Sequence, residues 1–487
     1  MFDMKKLICV LLSLLMILPL AACSNSDNDV NSAVASAAGD ATANESSSGE
    51  PLPAVGKKDY QKSVFRMVGF NKPGSWYYAK ELEQNTLNDA VYEMNQVVEN
   101  QLNVQLEYDY ISDVSTGGEI FGKVSPYIMT GDDAYQLCIL HPYYSYNSFI
   151  TQNYAFDFYN LESMDLSRSY WNKRVIDQLA INGHAYIALG ALCSYTLNIL
   201  YCNKGILKDA KRDVPYDLVR NQKWTLDQFF AMTKDLYVDK NGNGTRDNGD
   251  CYGFAGLWDA NGSAFMQASD IYVVQRNEEN VFEVALEKND RLVNFYDSLL
   301  AWSLDESVYL WNFGNRNNES VILDFLNGRS AFTLAALGTD FLEATFDVGV
   351  LPLPKYSEAQ ENYRHVNWGN NIVVPSSIRN TEMVGDVLEL MAYYTSTIVH
   401  NAYYDTVLQY KVSNSPDDRD MVMLIYNTVV YDPGIAFCDG NSSLWNLVYL
   451  PCFGILNKTK KVASTLRANV KNAQRKLNEL FNIKDKT

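Results

Sequence analysis

The sequence predicts an α/β fold built on mostly parallel sheets, and three observations lead there. Short runs rich in Val, Ile, Phe and Tyr alternate with longer segments whose apolar residues recur at helical spacing. From Lys57 onward the composition stays mixed hydrophobic and polar for about 430 residues, enough for two domains or one bilobed body. No short internal repeat interrupts this alternation, which argues against a solenoid.

Taken in order, Ser63 to Phe70 reads as a strand and Val104 to Tyr110 as a second. Between them Leu82, Leu87, Val91, Met94 and Val98 mark one face of a helix. Ile120 to Met129 is a further helix and Tyr135 to Leu140 a third strand. A second run of the same character follows, with helices over Leu226 to Tyr237 and Asn289 to Trp302. Strands separated by crossover helices lie parallel, with both sheet faces covered.

The amino terminus carries an address. Lys5 and Lys6 precede an apolar stretch from Leu7 to Leu18, broken only by Ser13, and Leu20-Ala21-Ala22-Cys23 follows. A positive start, a short apolar core and small residues before a cleavage point describe an export signal over residues 1–22. The stretch is short for a membrane span, which needs roughly 20 apolar residues. Leu-Ala-Ala-Cys resembles a bacterial lipobox, which implies that Cys23 becomes the lipidated first residue on the outer face of the cell membrane. Residues 23–56, made of Ser, Asn, Asp, Ala and Gly, bury too little apolar surface to order and read as a flexible tether.

Forty basic residues stand against 58 acidic ones, so phosphate-rich nucleic acid is an unsuitable partner. Of the eight cysteines, Cys9 and Cys23 belong to the export segment. Cys138, Cys193, Cys202, Cys251, Cys438 and Cys452 form no Cys-x-x-Cys and sit in apolar surroundings, which favours buried free thiols. Cys193 with Cys202 and Cys438 with Cys452 are the pairs that disulfides would join.

Several segments carry a family resemblance. They are Gly183 to Gly190, Asn198 to Ala210, Trp224 to Phe230, Gly328 to Leu334, Asp347 to Lys355, Gly369 to Ser377 and Ala463 to Leu477. In this order and spacing they resemble the family 1 extracellular solute-binding proteins, maltose-binding-like lipoproteins of ABC importers. The resemblance implies a two-lobed periplasmic-binding-protein-like fold, each lobe a mostly parallel sheet flanked by helices and the two connected by hinges. It places lobe 1 over 57–198 plus about 353–398, and lobe 2 over 199–352 plus about 399–487 with the C-terminal helix. The chain would cross between lobes near Leu197 to Asn203 and return near Val348 to Pro352. It further implies a monomer that delivers its ligand to separate permease subunits, and no Walker-type loop occurs here.

One motif stands on chemistry alone. Asp239, Asn241, Asn243, Thr245, Asp247 and Asp250 fall at positions 1, 3, 5, 7, 9 and 12 of an EF-hand-like loop, with Gly244 at the sharp turn. Side-chain oxygens and the Thr245 carbonyl suit Ca²⁺ in a structural role, although Asp250 is shorter than the usual Glu. Without metal, the same residues make a polar Asn-Gly hairpin.

Sugars present apolar faces and a rim of hydroxyls, which suits aromatic platforms and planar amides. Such residues where strands give way to loops are Trp76 and Tyr77, Tyr143 and Tyr144, Tyr195, Trp258, and Trp368 with Asn370. Asp340 reads equally as a hydroxyl acceptor or a helix N-cap. His141, His184, His365 and His400 have no metal-ligand spacing, no G-x-S-x-G elbow occurs, and no motif marks a pair of catalytic carboxylates. The expectation is a non-enzymatic binder of an oligosaccharide for import. The alternatives are a surface glycan-binding adhesin and, behind it, a glycoside-acting enzyme.

Overall fold

The computed structural model describes residues 51–112, 118–141, 146–286, 289–311, 318–406, 415–438, 442–450 and 462–481. The export segment, Cys23, the first part of the tether and Cys452 lie outside them. The tether's last residues do not behave as a linker: Val55 is buried, and its carbonyl accepts from Gln101 Nε2 at 2.8 Å. Lys58 pairs with the buried Asp386 at 2.7 Å, so the body is fastened from its first residues.

The first sheet holds β1 (Ser63–Gly69), β2 (Val104–Tyr110), β3 (Leu137–Leu140) and, from far along the chain, β12 (Asn371–Val373), in the order β12-β3-β1-β2. β1 lies parallel to β2 and β3, with Phe65 beside Leu106 and Met67 beside Leu137, while β12 runs antiparallel to β3. All four residues of β3 are buried, as an interior strand covered on both faces requires. The covering helix Thr86–Leu102 buries Val91, Met94, Val98 and Leu102. It starts later than Leu82, which is exposed, because Asn85 caps it by accepting from the Leu87 and Asn88 amides.

The second sheet contains β4 (Asn198–Asn203), β5 (Tyr252–Leu257), β8 (Val308–Trp311), β9 (Ser330–Ala336) and β10 (Val348–Leu351), in the order β10-β4-β9-β5-β8. β5 is parallel to β8 and β9, and β4 is antiparallel to both β9 and β10. Its core centres on Phe229, whose ring lies 5.3–6.0 Å from those of Trp224, Phe254, Phe265, Trp302 and Phe332. Burying one such ring is worth about 1.5–3 kcal/mol. The helix expected to reach Tyr237 ends at Thr233, whose hydroxyl accepts from Trp302 Nε1 at 2.8 Å. Gly253 presses on the same residue: a Cβ there would stand 1.8 Å from the Thr233 carbonyl oxygen.

Two small sheets complete the strands: the hairpin β6 (Val274–Arg276) with β7 (Phe282–Val284), and β11 (His365–Val366) with β13 (Val429–Val430). β4 and β10, placed by sequence at the crossings, lie wholly inside the second sheet. The chain changes sheets just before β4, at Ser194–Leu197, and between β10 and β12, where Leu197 bridges Asn367. Residues 400–406, expected in the second lobe, pack on helix Thr86–Leu102 of the first body because Tyr403 and His400 close around Trp76. Cys138, Cys193, Cys202 and Cys251 are buried free thiols, as their apolar context predicts, and Cys438 is buried as well.

Candidate functional site

Both sheets turn their carboxyl edges to the same place. In the first, β12 begins where β3 ends, with Asn371 opposite Leu140. In the second, β9 ends where β4 begins, with Ala336 opposite Asn198, and the Leu337 amide donates to the Leu197 carbonyl at 2.7 Å. Segments Ser194–Leu197 and Asn367–Asn371 run side by side between these edges. Open α/β sheets bind ligands beyond the carboxyl ends of their strands, so the double crossing forms the floor of the candidate cleft.

Amides hold that floor. Asn367 Oδ1 accepts from the Thr196 and Gly369 amides at 2.9 and 2.8 Å, and its Nδ2 reaches the Ser194 carbonyl and the Tyr431 hydroxyl, each at 3.2 Å. The Asn370 amide donates to Ser194 Oγ at 3.2 Å, and Asn370 Nδ2 donates to Asn71 Oδ1 in the loop after β1. His141, directly after β3, packs 5.9 Å from the Phe70 ring, and burial lowers its pKa to about 4. It is neutral at physiological pH.

An aromatic cluster stands beside the floor. Trp76 lies 6.2 Å from Tyr195, 5.4 Å from His400 and 5.3 Å from Tyr403, and Tyr426 lies 5.5 Å from Tyr195 and 4.5 Å from Tyr404. His400 donates through Nε2 to the Ala191 carbonyl at 3.1 Å, and burial lowers its pKa to about 4. The Trp76 indole N–H is buried and has no hydrogen-bond partner among the described residues, a donor for which a ligand or water oxygen is the natural complement. Tyr195, His400 and Tyr426 also line a cavity of about 540 Å³ bordered by Lys173 and Arg174.

Of the residues nominated from sequence, Trp76, Tyr195, Trp368 and Asn370 meet around the crossing. The Trp368 amide donates to the Thr196 carbonyl at 3.0 Å, and its ring packs toward Tyr449. Tyr77 is buried next to Trp76, 1% exposed against 3%. Asp340 follows β9 and is exposed; its Oδ1 accepts from the Leu342 amide at 2.9 Å in a turn, so it caps no helix. Trp258 opens the helix Trp258–Ala268 directly after β5, and Tyr143 and Tyr144 lie outside the described residues. Sequence reasoning missed Asn71, Asn367, His400, Tyr403, Tyr404 and Tyr426. The doublet Tyr403-Tyr404 was the one local signal, and nothing local ties it to Trp76.

The acidic loop folds around its own carboxylates. Asp239 accepts from the Gly242 and Gly244 amides at 2.7 and 2.9 Å, and Asn243 Oδ1 accepts from the Thr245 amide at 2.7 Å. Asn241 and Asn243 each donate to Asp247, and the buried Asp250 accepts from the Lys240 amide and the Tyr237 hydroxyl. Gly242 and Gly244 both have φ of 69°, the conformation that glycine tolerates best. A bridge between Val238 and Cys251 closes the loop, where a helix had been expected to lead in. Among the described residues no three His, Cys, Asp or Glu side chains gather as a metal site, so any ion here relies on the Asn oxygens and the Thr245 carbonyl as well.

No protein-family model and no curated protein sequence matches the chain. Solved structures do. An ABC substrate-binding protein from Listeria monocytogenes in complex with cycloalternan is 16% identical, covers 83% of this chain and 99% of its own, and superposes with a TM-score of 0.52. A sugar transporter protein from Rhizobium etli in an open conformation gives 13%, 85% and 99%, with a TM-score of 0.58. The GacH receptor of Streptomyces glaucescens, solved unliganded and with acarbose, gives 14%, 85% and 98%, with a TM-score of 0.54. At these identities the likeness shows the fold: the chain has the two-lobed periplasmic-binding-protein architecture.

Proposed function

We propose that the chain is a lipid-anchored solute-binding protein that captures an oligosaccharide between its two bodies and presents it to an ABC importer, without altering it chemically. The observation that carries this reading is the double crossing, where both carboxyl edges converge on amides and on the Trp76–Tyr195 cluster. Aromatic faces with planar amides are the chemistry that stacks on sugar rings and reads their hydroxyls. The sugar ligands of the structural neighbours support the same class of cargo. In this reading Cys23 carries the lipid, the chain works as a monomer on the outer face of the membrane, and the lobes are the two sheet bodies, hinged at Ser194–Leu197 and Asn367–Asn371.

A thermal-shift screen of the protein against mono- and oligosaccharides, polyamines and peptides tests it. A ligand that binds only the folded state must raise the melting temperature, by about 2.7 kcal/mol of stabilisation at a hundredfold excess over Kd. A rise with one class of short sugar is the expected result. A response to polymeric glycan alone would replace import with adhesion, and a response confined to polyamines or peptides would replace the cargo.

The loop over Asp239, Asn241, Asn243, Thr245, Asp247 and Asp250 is proposed to bind Ca²⁺ as a structural ion. Support comes from its oxygen spacing and from the two glycines at positive φ. Chelator should lower the melting temperature by about 5 °C, with Ca²⁺ but not Mg²⁺ restoring it. Asp239→Ala should abolish the response. Identical melting curves with and without chelator would leave the loop as a self-bonded hairpin.

A further inference from the structure

The hairpin β6–β7 leaves the second body between helix Trp258–Ala268 and helix Asp290–Ser303, yet its tip is bonded to the first body. Arg276 makes the join. Its Nε donates to the Gln178 carbonyl at 3.1 Å and one terminal nitrogen to the Ala180 carbonyl at 2.5 Å. These carbonyls belong to the end of helix Lys173–Leu179, where unpaired acceptors and the negative pole of the helix favour a cation. The other terminal nitrogen donates to Asn280 of the hairpin itself at 2.7 Å, and the guanidinium lies 4.1 Å from the Phe282 ring. All three nitrogens and the apolar face of the side chain are therefore engaged at once.

The C-terminal helix Val462–Phe481 reinforces the join. Gln474 accepts from the Val284 amide and donates to the Phe282 carbonyl, adding a side-chain rung to β7. Asn182, just past the same helix end that Arg276 caps, donates to the Phe481 carbonyl at 2.5 Å, and Phe481 packs 4.8 Å from Phe282. The hairpin and C-terminal helix thus bridge the two bodies at a point separate from the double crossing.

We propose that this unit is a strap and Arg276 its latch, fixing the separation of the two bodies and so regulating how far the cleft opens. The proposal rests on the reading above that the bodies hinge. Arg276 is a positioning residue, with no part in touching ligand. Two carbonyls at a helix end are monopolar acceptors, so a planar fork with several donors fits them where a single ammonium fits one.

Spin labels at the exposed Met129→Cys in the first body and Leu323→Cys in the second, measured on protein without added sugar, test the latch whether or not any sugar binds. In Arg276→Ala the width of this distance distribution should at least double. A second pair inside the first body, Leu82→Cys with Met129→Cys, should keep its width. Arg276→Lys, the milder change should the alanine variant fold poorly, should broaden the inter-body distance by a smaller amount. An inter-body distribution unchanged in both variants, or broadening of both label pairs together, overturns the latch.

Discussion

Gly369→Ala is expected to abolish ligand capture and to cost about 3–5 kcal/mol of stability, more than most single substitutions. A Cβ at Gly369 would stand 1.7 Å from the Ser194 carbonyl oxygen and 2.6 Å from its carbon, and both are backbone atoms. No rotamer relieves such a contact, so the two crossing segments must separate. The separation strains the bonds that unite them: Trp368 to the Thr196 carbonyl, Asn367 to the Thr196 amide and Asn370 to Ser194 Oγ. Overpacking alone costs about 1–3 kcal/mol, and partial loss of these bonds, each worth about 1 kcal/mol when intact, supplies the rest. Melting temperature and the sugar-induced shift should fall together. Gly122→Ala is the control, since nothing lies within 4 Å of its Cβ and it sits inside the helix Glu119–Met129. There alanine should be neutral or stabilising by about 0.5–1 kcal/mol. A Gly369→Ala protein that melts like the wild type and still shifts with sugar would remove the crossing from the site.

Periodicity and strand composition carried most of the fold. β2 was legible to the residue because its flanks are sharp: Asn103 at φ 48° closes the preceding helix, and apolar residues alternate from Val104. The errors fall where tertiary contacts overrule local pattern. Leu82 fits the helical stripe, but the Asn85 cap starts the helix after it. The helix from Leu226 stops at Thr233 because Trp302 and Gly253 claim that residue from elsewhere in the chain. The site was legible only in part, for the same reason. Trp76 and Tyr195 stood out as aromatics near strand ends, whereas His400, Tyr403 and Tyr426 arrive from more than 200 residues beyond Tyr195 on helices whose spacing reads as ordinary core. Asn367 is one asparagine among many until its side chain is seen to bond both crossing segments, Thr196 and Ser194 in one and Gly369 in the other.

Asp418→Asn should be nearly as damaging as Gly369→Ala, by electrostatics instead of sterics, and its pH dependence separates the two. Asp418 is fully buried, near the start of helix Pro416–Asn427, and its carboxylate is saturated. One oxygen accepts from the Tyr216 hydroxyl at 2.6 Å and the Val350 amide at 2.9 Å, the other from Lys204 Nζ and Ser415 Oγ, both at 2.8 Å. The group thus ties a distant helix to β10, the edge strand from which the chain returns to the crossing. Burial alone would raise its pKa, but Lys204, Tyr216 and the Val350 amide together outweigh that and hold it below the usual carboxylate range. A depressed folded-state pKa means stability that is fully present above the unfolded value of about 3.9 and lost as pH falls through the folded one. An asparagine keeps the shape but turns one acceptor into a donor facing Lys204, leaving a charge without its partner, which typically costs about 3–5 kcal/mol. The stability gap between wild type and Asp418→Asn should therefore be widest near neutral pH, begin to narrow below the unfolded value of about 3.9, and close only once pH has fallen through the lower folded-state pKa, where the wild-type carboxyl is also neutral. Lys204→Met combined with Asp418→Asn should cost less than the two single changes summed, because removing both charges leaves none stranded. Urea titrations at several pH values would read all of this, and a gap that stays constant with pH would mean that Asp418 acts through shape alone.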